Sequence, residues 1–514
     1  MSGGTRAALA AALTGLLLGL MSCSTTPGDD GGPGAEPTGP TTPQLPAQQG
    51  TAAPGAPNIV LITTDDQAAA DMRWMPRTRA LLGRRGVTFT QSLAPHPLCC
   101  PARAEILTGQ YAQNNGVLSN NGAYGGVTAL RQRKNTIAPW LWSAGYHTAL
   151  VGKFLNGYSA RRDGYEFGWE KWSVSSTSRF GYDDFTMFTD GEIVDYPKSA
   201  GAYSSDLVTD ETDALVRQWA GDGGATRPFF VWASYYAPHP MCVSEEGGCE
   251  TPPVPAPEHA DELRDVKAPT LRKPSWRARL VDPNPEVAGH SVVGRRAVQR
   301  MFTGRIQALQ SVDQGVAKIV RTLDEVGELD NTLLVFTSDN GYLNGEHRYT
   351  GKTLAYEESL RVPLIIRGPG LPQGTRVTSP VTTVDLAPTI VAAAGAEPGR
   401  TMDGRDLRAI VKRPRGADTV LVQAGHSHAK AGGRRWAYRG VRTVRYTYLR
   451  WPESTVFEEL YDRKRDPFQL RNLARDPRYA AVRAELVGRL DALADCVGPA
   501  RCFRRFGSVP RPTR

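Results

Sequence analysis

The feature that most constrains the fold is a set of four short apolar or β-branched runs, each followed within a few positions by polar side chains. The runs cover residues 58–64, 148–151, 229–233 and 333–336. The polar side chains that follow are, in the same order, Asp65 with Asp66, Lys153, His239, and Asp339 with Asn340. A run that is apolar on both faces is typical of a central strand in a parallel sheet.

Helix-like stretches separate these runs, at residues 136–144, 206–220 and 300–328. The alternation predicts an α/β fold with a large central, mostly parallel sheet and helices on both faces. Ligands of such sheets bind beyond the carboxyl ends of the strands. We therefore expect the polar residues after the four runs to converge on one site.

The pattern changes to shorter segments after residue 412. Strand-like segments lie at residues 419–423, 436–442 and 446–451, and a helix-like stretch follows at residues 479–494. These segments predict a small C-terminal antiparallel sheet with a covering helix. We place the large domain at residues 58–415, and an α+β subdomain with a basic tail at residues 416–514.

The N-terminus has the composition of an export signal. An apolar run over residues 8–21 follows Arg6 and is too short to span a bilayer stably. We assign residues 1–22 to a signal peptide and expect an extracytoplasmic protein. The ending Leu-Met-Ser-Cys resembles a bacterial lipobox, in which Cys23 receives lipid and anchors the protein to a membrane. The alternative is an ordinary signal cleaved nearby.

A low-complexity segment separates this signal from the first strand. Residues 24–57 contain 15 Pro or Gly in 34 positions and almost no large apolar side chain. Such a composition cannot bury enough surface to fold. We therefore expect residues 23–57 to form a disordered, lipid-anchored linker.

The chain has seven cysteines. Two pairs are close enough in sequence for small disulfides in an oxidising compartment, Cys242 with Cys249 and Cys496 with Cys502. With Cys23 assigned to lipid, the adjacent Cys99 and Cys100 are left over. They are either a pair of buried apolar cysteines or a site of chemistry.

The charge distribution argues against nucleic-acid binding. The formal net charge of +9 is modest for 514 residues, and the basic side chains are scattered except near the C-terminus. We expect weak attraction to anionic substrates or surfaces only.

The leftover cysteines lie in the decisive motif. Residues 99–103 read Cys-Cys-Pro-Ala-Arg, a C-x-P-x-R pattern, and Ala-Glu-Ile-Leu-Thr-Gly follows. Here the sequence resembles the formylglycine-dependent sulfatase family, whose members carry this motif at the head of a helix in an alkaline-phosphatase-like fold. The resemblance extends from about residue 58 to about residue 477. One departure is Ala102, where the family usually has Ser.

The resemblance implies that Cys99 is the nucleophile, after conversion to formylglycine by a formylglycine-generating enzyme. One hydroxyl of the hydrated aldehyde attacks sulfur, and the other later expels sulfate. Arg103 and the helix N-terminus supply positive potential.

The resemblance also implies a metal site formed by Asp65, Asp66, Asp339 and Asn340 with an oxygen of the modified Cys99. A site with only oxygen ligands suits calcium (Ca²⁺), with Mg²⁺ as the alternative. Phosphatases of the same superfamily have a histidine in the second metal pair, which gives zinc a nitrogen ligand. Asn340 at that position argues against zinc.

Three further residues match sulfate-contacting positions of the family. Lys153 and Lys352 match its two lysines, although a lone lysine is more often solvated. His239 matches a histidine that binds sulfate or protonates the leaving alcohol, with a structural loop histidine as the alternative. The family's usual histidine two residues after the first lysine is replaced by Leu155, and Asn156 comes next.

The Cys-Cys-Pro form of the motif and the loop around His239 are most similar to the N-acetylglucosamine-6-sulfatase branch. The resemblance therefore implies a sulfated small molecule or glycan as substrate. His347 is a candidate for the substrate side of the pocket. Two other functions stay open: a phosphoester or phosphonate hydrolase on the same scaffold, and a surface lipoprotein that binds sulfated glycans without cleaving them.

Overall fold

The structure is a computed structural model. It describes residues 38–176, 181–221, 227–242, 249–413, 416–430, 433–452 and 457–513. The predicted signal peptide and the predicted lipid attachment at Cys23 lie outside the described residues.

Eighteen β-strands are described. They are β1 (Asn58–Thr64), β2 (Val87–Phe89), β3 (Ser92–Leu93), β4 (His147–Gly152), β5 (Lys171–Ser175), β6 (Phe185–Thr189), β7 (Glu192–Tyr196), β8 (Phe229–Ser234), β9 (Thr332–Ser338), β10 (Leu343–Asn344), β11 (Thr350–Gly351), β12 (Leu364–Arg367), β13 (Thr375–Val377), β14 (Val381–Thr382), β15 (Thr419–Lys430), β16 (Arg434–Thr443), β17 (Tyr446–Trp451) and β18 (Phe457–Asp462).

Ten strands form the large sheet, in the order β13-β2-β12-β9-β1-β8-β4-β5-β6-β7. The five strands from β9 to β5 in this order pair in parallel, and the pairs at β9–β12, β12–β2, β5–β6 and β6–β7 are antiparallel. The predicted α/β fold with a mostly parallel sheet is confirmed. The antiparallel edge formed by β6 and β7 was not predicted.

Fourteen α-helices are described. They are α1 (Pro76–Thr78), α2 (Cys99–Thr108), α3 (Ala112–Asn115), α4 (Ile137–Ser143), α5 (Ala160–Asp163), α6 (Ser204–Gly221), α7 (Pro274–Arg277), α8 (Pro285–Ala288), α9 (Arg295–Glu325), α10 (Glu357–Leu360), α11 (Leu386–Ala394), α12 (Leu407–Lys412), α13 (Ala480–Leu493) and α14 (Pro499–Cys502).

The two faces of the large sheet lie in separate apolar cores. Strand β1 is buried along its whole length, and its alternate residues point to opposite faces. Ile59 and Leu61 pack in a core that includes residues of α2, α4 and α11, whereas Val60 and Ile62 pack in a core with residues of α6 and α9. Burial on both faces explains why β1 reads as a continuous apolar run.

The C-terminal strands form an antiparallel sheet in the order β15-β16-β17-β18, and residues of α13 pack in its core. The predicted small sheet with a covering helix is confirmed, with β18 as an additional strand. Both predicted disulfides, Cys242–Cys249 and Cys496–Cys502, are present. In the part of the chain that the structure describes, no helix has both the length and the apolar character of a membrane span.

The structure of the segment before β1 differs from what its composition predicts. Residues 38–57 contain no helix or strand, yet they lie against the large domain. Backbone bonds tie them down: Thr38 N–H donates to Arg161 O (2.7 Å), Gly168 N–H to Gln44 O (2.7 Å) and Gly50 N–H to Ser143 O (3.1 Å). Residues 38–57 therefore do not form the disordered linker that their composition predicts.

Candidate active site

Four neighbouring parallel strands, β9, β1, β8 and β4, end at the same edge of the large sheet. The polar residues that follow them are buried there: Asp65, Asp66, Lys153, His239, Asp339 and Asn340. The fold therefore brings these polar residues together at one site, as predicted. Asp66 adopts a left-handed backbone conformation, with φ of 66°. Such a conformation is uncommon outside glycine and is frequent at functional sites.

Cys99 is the first residue of α2 and is fully buried beside these carboxylates. Its Sγ lies 2.9 Å from Lys352 Nζ and 3.5 Å from Asp65 Oδ1. Burial, and after it the charge of Asp65, raises the pKa of the Cys99 thiol well above its usual value. Position 99 therefore combines a helix N-terminus with a neighbouring ammonium group, an arrangement that stabilises negative charge.

Arg103 lies one turn further along α2 and is buried among four partners. Its Nε donates to Asp339 Oδ2 (2.9 Å), and one guanidinium nitrogen donates to Ser234 Oγ (2.7 Å) and to the Lys153 carbonyl (2.8 Å). A second guanidinium nitrogen lies 3.5 Å from Asp65 Oδ2. Arg103 thus links α2 to the ends of β1, β4, β8 and β9.

The two predicted lysines lie on either side of the carboxylate pair. Lys153 forms an ion pair with Asp65 and lies 5.5 Å from the centroid of the Tyr236 ring. Lys352 Nζ donates to Asp66 Oδ1 at 2.5 Å. The side chains are only 5% and 10% exposed, so the alternative interpretation as solvated lysines is wrong.

A backbone bond fixes the loop of Lys352 beside Cys99. Thr353 N–H donates to the carbonyl of Pro97, two residues before Cys99 (3.0 Å). The preceding Gly351 has φ of 132°, a conformation that disfavours a side chain. The geometry of this turn therefore places Lys352 next to position 99.

His239 closes the site on the side of β8. Its Nδ1 lies 2.6 Å from the Pro240 carbonyl and 3.1 Å from the Tyr236 hydroxyl. Because a carbonyl oxygen only accepts, this contact assigns the proton to Nδ1 and leaves Nε2 turned towards Asp66 Oδ2, 3.6 Å away. Burial and then the charge of Lys352 lower the pKa of His239 well below its usual value.

Several side chains of the site could hold a cation. Potential ligand atoms of Asp65, Asp66, Cys99 and His239 lie within 4.8 Å of one another. Asn340 Nδ2 donates to Asp66 Oδ1 (2.6 Å), while its Oδ1 is buried without a hydrogen-bond partner among the described residues. A buried acceptor without a donor is costly unless a ligand satisfies it, so Asn340 fits a metal-binding position.

The titration of the carboxylates fits a cation as well. Burial raises the pKa of Asp66 and raises that of Asp339 to about 6, and the charge of Asp65 adds to both shifts. A divalent cation would offset this repulsion. Asp339 is also engaged elsewhere, because its Oδ2 accepts from Arg103 and its Oδ1 accepts from the Asn340 N–H (2.7 Å).

Some residues of the site were not predicted. Ser234 Oγ accepts from Arg103 and donates to the Lys153 carbonyl (2.6 Å). Arg305 of α9 donates to the Asp66 carbonyl (2.6 Å). Since Ser234 is the last residue of β8, the same rule about carboxyl ends could have found it, whereas nothing near Arg305 in sequence marks it.

Two asparagines contact Cys100, the neighbour of Cys99. Asn120 Oδ1 accepts from the Cys100 N–H (2.9 Å), and the Asn156 N–H donates to Cys100 Sγ (3.0 Å). Leu155 is buried in the apolar core, so it contributes no polar group at the position of the family's usual histidine. The structure therefore gives Asn156 a contact with Cys100.

His347 packs against a tyrosine in the structure. Its ring stacks on Tyr356 with the centroids 3.6 Å apart, and the side chain is buried. Burial lowers its pKa to about 3, so the imidazole is neutral. The expectation that His347 faces the substrate is not supported by this packing.

Comparison with known families decides the assignment. The family model described as Sulfatase matches residues 57–396, which is more than half of the chain. The chain belongs to the sulfatase family. This membership places it among the sulfuric ester hydrolases. A second model, described as N-sulphoglucosamine sulphohydrolase, C-terminal, matches residues 345–495 of this sulfatase.

Named sulfatases are similar over most of the chain. It is 30% identical over 500 residues to human N-acetylglucosamine-6-sulfatase, covering 86% of this chain and 85% of the relative. It is 30% identical over 510 residues to an arylsulfatase of Volvox carteri, covering 88% and 77%. An extracellular sulfatase homologue of Caenorhabditis elegans is 33% identical over 403 residues, covering 72% of this chain. The alignment spans only about half of that relative (52%).

Solved structures share the fold. One, described as a complex with its substrate D-glucosamine-2-N,6-O-disulfate, has a TM-score of 0.69 at 22% identity, covering 85% of this chain and 97% of the other. The phosphonate monoester hydrolase of Agrobacterium radiobacter has a TM-score of 0.61 at 21% identity, covering 85% and 95%. At these identities the likeness establishes the alkaline-phosphatase-like fold alone.

Proposed function

We propose that this sulfatase hydrolyses sulfate esters of a sulfated sugar or glycan, with Cys99 converted to formylglycine as its nucleophile. The observation that carries the proposal is the position of Cys99. It has Pro and Arg at the offsets of the motif, and it lies buried at the start of α2 between Lys352 and Asp65. Cys100 lacks those offsets and contacts Asn156 instead.

The surrounding residues are suited to a sulfate ester. Hydrated formylglycine supplies the attacking oxygen and a second hydroxyl for release of sulfate. Lys153, Lys352 and Arg103 hold positive charge where negative charge grows on the sulfate oxygens. His239 presents Nε2 to the site and either contacts the sulfate or passes a proton to the departing alcohol oxygen.

The proposed metal is calcium, with Mg²⁺ as the alternative. Its ligands would be oxygens of Asp65, Asp66, Asp339 and Asn340 together with the oxygen at position 99. Support comes from the unpartnered Oδ1 of Asn340 and from a ligand set of carboxylates and one amide, which hard cations prefer. When bound, the cation would polarise a sulfate oxygen.

Export and anchoring are part of the proposal. Two small disulfides favour an oxidising compartment, and relatives described as extracellular sulfatases support an extracytoplasmic location. A formylglycine-generating enzyme would act during maturation. We expect Cys23 to carry lipid, so the native protein should partition with membranes and Cys23→Ala should release or stall it. Soluble native protein that begins at another residue would contradict the anchor.

The chain divides into two domains in this proposal. We propose that residues 58–415 form the catalytic domain and that residues 416–514 form the C-terminal subdomain. Support comes from β15, which begins at Thr419, and from the site residues, all of which precede that strand.

Side-by-side turnover tests the reaction against its nearest rival. Purified enzyme should hydrolyse an aryl sulfate, then members of a panel of defined sulfated saccharides, with far higher kcat/KM than an aryl phosphate or phosphonate. This alternative has a definite basis, because the fold is similar to that of a phosphonate monoester hydrolase. A preference for phosphate or phosphonate would overturn the proposal. Binding of sulfated glycans without turnover would favour the non-catalytic lipoprotein.

A further inference from the structure

The outer end of the β15–β16 hairpin lies over a loop that contacts the nucleophile's neighbour. The Tyr124 N–H donates to the Ser427 carbonyl (3.0 Å). The His428 ring lies so close to Gly122 that a side chain at position 122 would collide with it. Two residues earlier, Asn120 accepts from the Cys100 N–H. One loop therefore separates this hairpin from the start of α2.

A second contact fixes the hairpin on the other side. The Gly425 N–H donates to His96 Nε2 (3.3 Å), and His96 lies three residues before Cys99. The Trp436 ring lies beside His96, with the centroids 6.4 Å apart. The hairpin thus packs against segments on both sides of the start of α2, although its strands belong to the C-terminal sheet.

The hairpin and the loop carry positive charge only. Residues 419–452 contain no Asp or Glu, and neither do residues 106–162. At the hairpin's outer end His428, Lys430 and Arg435 are exposed and Arg434 is half-buried; we call these four residues the basic hairpin. Within the described ranges no ion pair joins any of them to a carboxylate. The charge of Lys430, Arg434 and Arg435 is therefore available to an anionic ligand.

Aromatic rings accompany this charge. The Arg435 guanidinium lies 5.6 Å from the centroid of the half-buried Tyr124 ring, and Arg439 lies 4.6 Å from that of Trp436. Aromatic faces pack against the apolar face of a sugar ring, and guanidinium groups bind sulfate or carboxylate oxygens in pairs. The combination fits an anionic saccharide better than a protein or a lipid surface.

We propose that the basic hairpin binds an anionic group on a sugar next to the one that loses its sulfate, which makes sulfated oligosaccharides or polysaccharides the substrate class. The inference rests on the proposed function and deepens it. A single sulfated sugar in the active site would leave the charges of the basic hairpin without a partner. A saccharide chain with several anionic groups would reach both the active site and the basic hairpin. Each exposed contact is weak alone, and several together become measurable.

The test compares two substrates in one variant. The triple variant Lys430→Ala, Arg434→Ala, Arg435→Ala should lower kcat/KM for a multiply sulfated tetrasaccharide, relative to an aryl sulfate, by about tenfold, mainly through KM. The difference from wild type should shrink as salt is raised. The matched control removes three exposed arginines of the C-terminal tail, Arg504→Ala, Arg505→Ala, Arg511→Ala, and should leave the ratio unchanged.

Two outcomes would overturn the inference: an unchanged ratio, including one produced by an equal loss on both substrates, or the same fall in the control. Calorimetric binding of the tetrasaccharide to wild type and to the triple variant separates this inference from the proposed function. If no sulfate ester is turned over but the triple variant binds about tenfold more weakly, the reaction is wrong and the surface is right. Turnover with equal binding would reject the surface alone.

Discussion

Two clusters of buried charge in this sulfatase are built on opposite principles. The catalytic cluster at the sheet edge sets three carboxylates against three cationic side chains: Asp65, Asp66, Asp339, Arg103, Lys153 and Lys352. The second cluster joins Glu357 of α10 to Arg442 of β16 and to Arg463 after β18, so it links the large domain to the C-terminal sheet.

The Glu357 carboxylate is fully paired, although Arg442 Nη1 and Arg463 Nε have no hydrogen-bond partner among the described residues. Arg442 donates to both oxygens of Glu357 at 2.8 Å, and Arg463 lies 3.2 Å from Oε1. Burial would raise the pKa of Glu357, but the charges of Arg442 and Arg463 outweigh it and lower the pKa to about 2. Each carboxylate oxygen therefore has a cationic donor, and nothing further is needed for its ionised form to be stable.

In the catalytic cluster, two of the three carboxylates are not stabilised in their ionised form to the same degree. Burial raises the pKa of Asp66 and Asp339, the charge of Asp65 adds to both shifts, and Asn340 Oδ1 has no partner among the described atoms. The formal charge of the cluster is zero, so a divalent cation would make it positive and ready for an anionic ester. The Glu357 cluster is thus arranged for stability, and the catalytic cluster is arranged for a ligand.

The largest expected effect separates the two adjacent cysteines. Cys99→Ala should lower kcat by several orders of magnitude, because it removes the proposed nucleophile. Cys100→Ala is the matched control and should keep most of the activity, since its contacts to Asn120 and Asn156 only support the helix start. Equal losses in the two variants, with both folded, would break the assignment of chemistry to the catalytic cluster.

Metal removal should produce the next largest effect. Chelation should abolish turnover and Ca²⁺ or Mg²⁺ should restore it, whereas Zn²⁺ should restore little, because the proposed ligand set contains only oxygens. Metal analysis of the active enzyme and activity after dialysis check this. Stoichiometric zinc in active enzyme would contradict the metal assignment and favour the phosphoesterase alternative.

A substitution in the Glu357 cluster should change the stability of the fold and not the catalytic reaction. Glu357→Gln should lower the free energy of unfolding by about 3–5 kcal/mol, because it leaves Arg442 buried without its carboxylate. The control Asp210→Asn breaks an exposed pair with Lys318 and should cost less than about 1 kcal/mol. Denaturant unfolding measures both. A large fall in kcat with unchanged stability would reverse the comparison.

The same pair gives a pH dependence with a definite sign. Since the pKa of Glu357 falls from 4.5 to about 2 in the folded chain, its stabilisation is fully present above pH 4.5. It is lost as the pH falls from 4.5 towards 2. Acid unfolding of Glu357→Gln should therefore lack that part of the slope seen in wild type, and an identical slope would contradict the assignment.

Ser234 should give the smallest effect, about a 10- to 100-fold loss. Ser234→Ala removes one hydrogen bond to the Arg103 guanidinium, worth about 1.5–3 kcal/mol for a charged group. The loss should fall on kcat more than on KM, and Ser234→Thr, which keeps a hydroxyl, should recover most of it. No change in Ser234→Ala would show that the other contacts of Arg103 hold it alone.

The sequence predicted the parts of the fold and site that depend on local patterns. Strand β1 is buried on both faces and reads as one apolar run, so its existence and the position of Asp65 and Asp66 were predictable. Strand β7 has no fully buried residue and gives no such run. Residues 38–57 have a linker's composition, but backbone hydrogen bonds to distant loops hold them in place, and composition does not report such bonds.

The contacts that complete the site depend on the tertiary fold. Ser234 meets Arg103 only because β8 lies between β1 and β4 in the sheet. Arg305 reaches the Asp66 carbonyl from the long helix α9, which crosses the opposite face. These positions follow from strand order and helix packing, which no short motif encodes.

Peptide mass spectrometry of residue 99 tests the central claim most directly. Trypsin should release residues 86–103, which contain both adjacent cysteines and end at Arg103. In active enzyme, fragment ions should locate formylglycine at position 99 and an unmodified cysteine at position 100. Active enzyme with a thiol at position 99, or with formylglycine at position 100, would contradict the account.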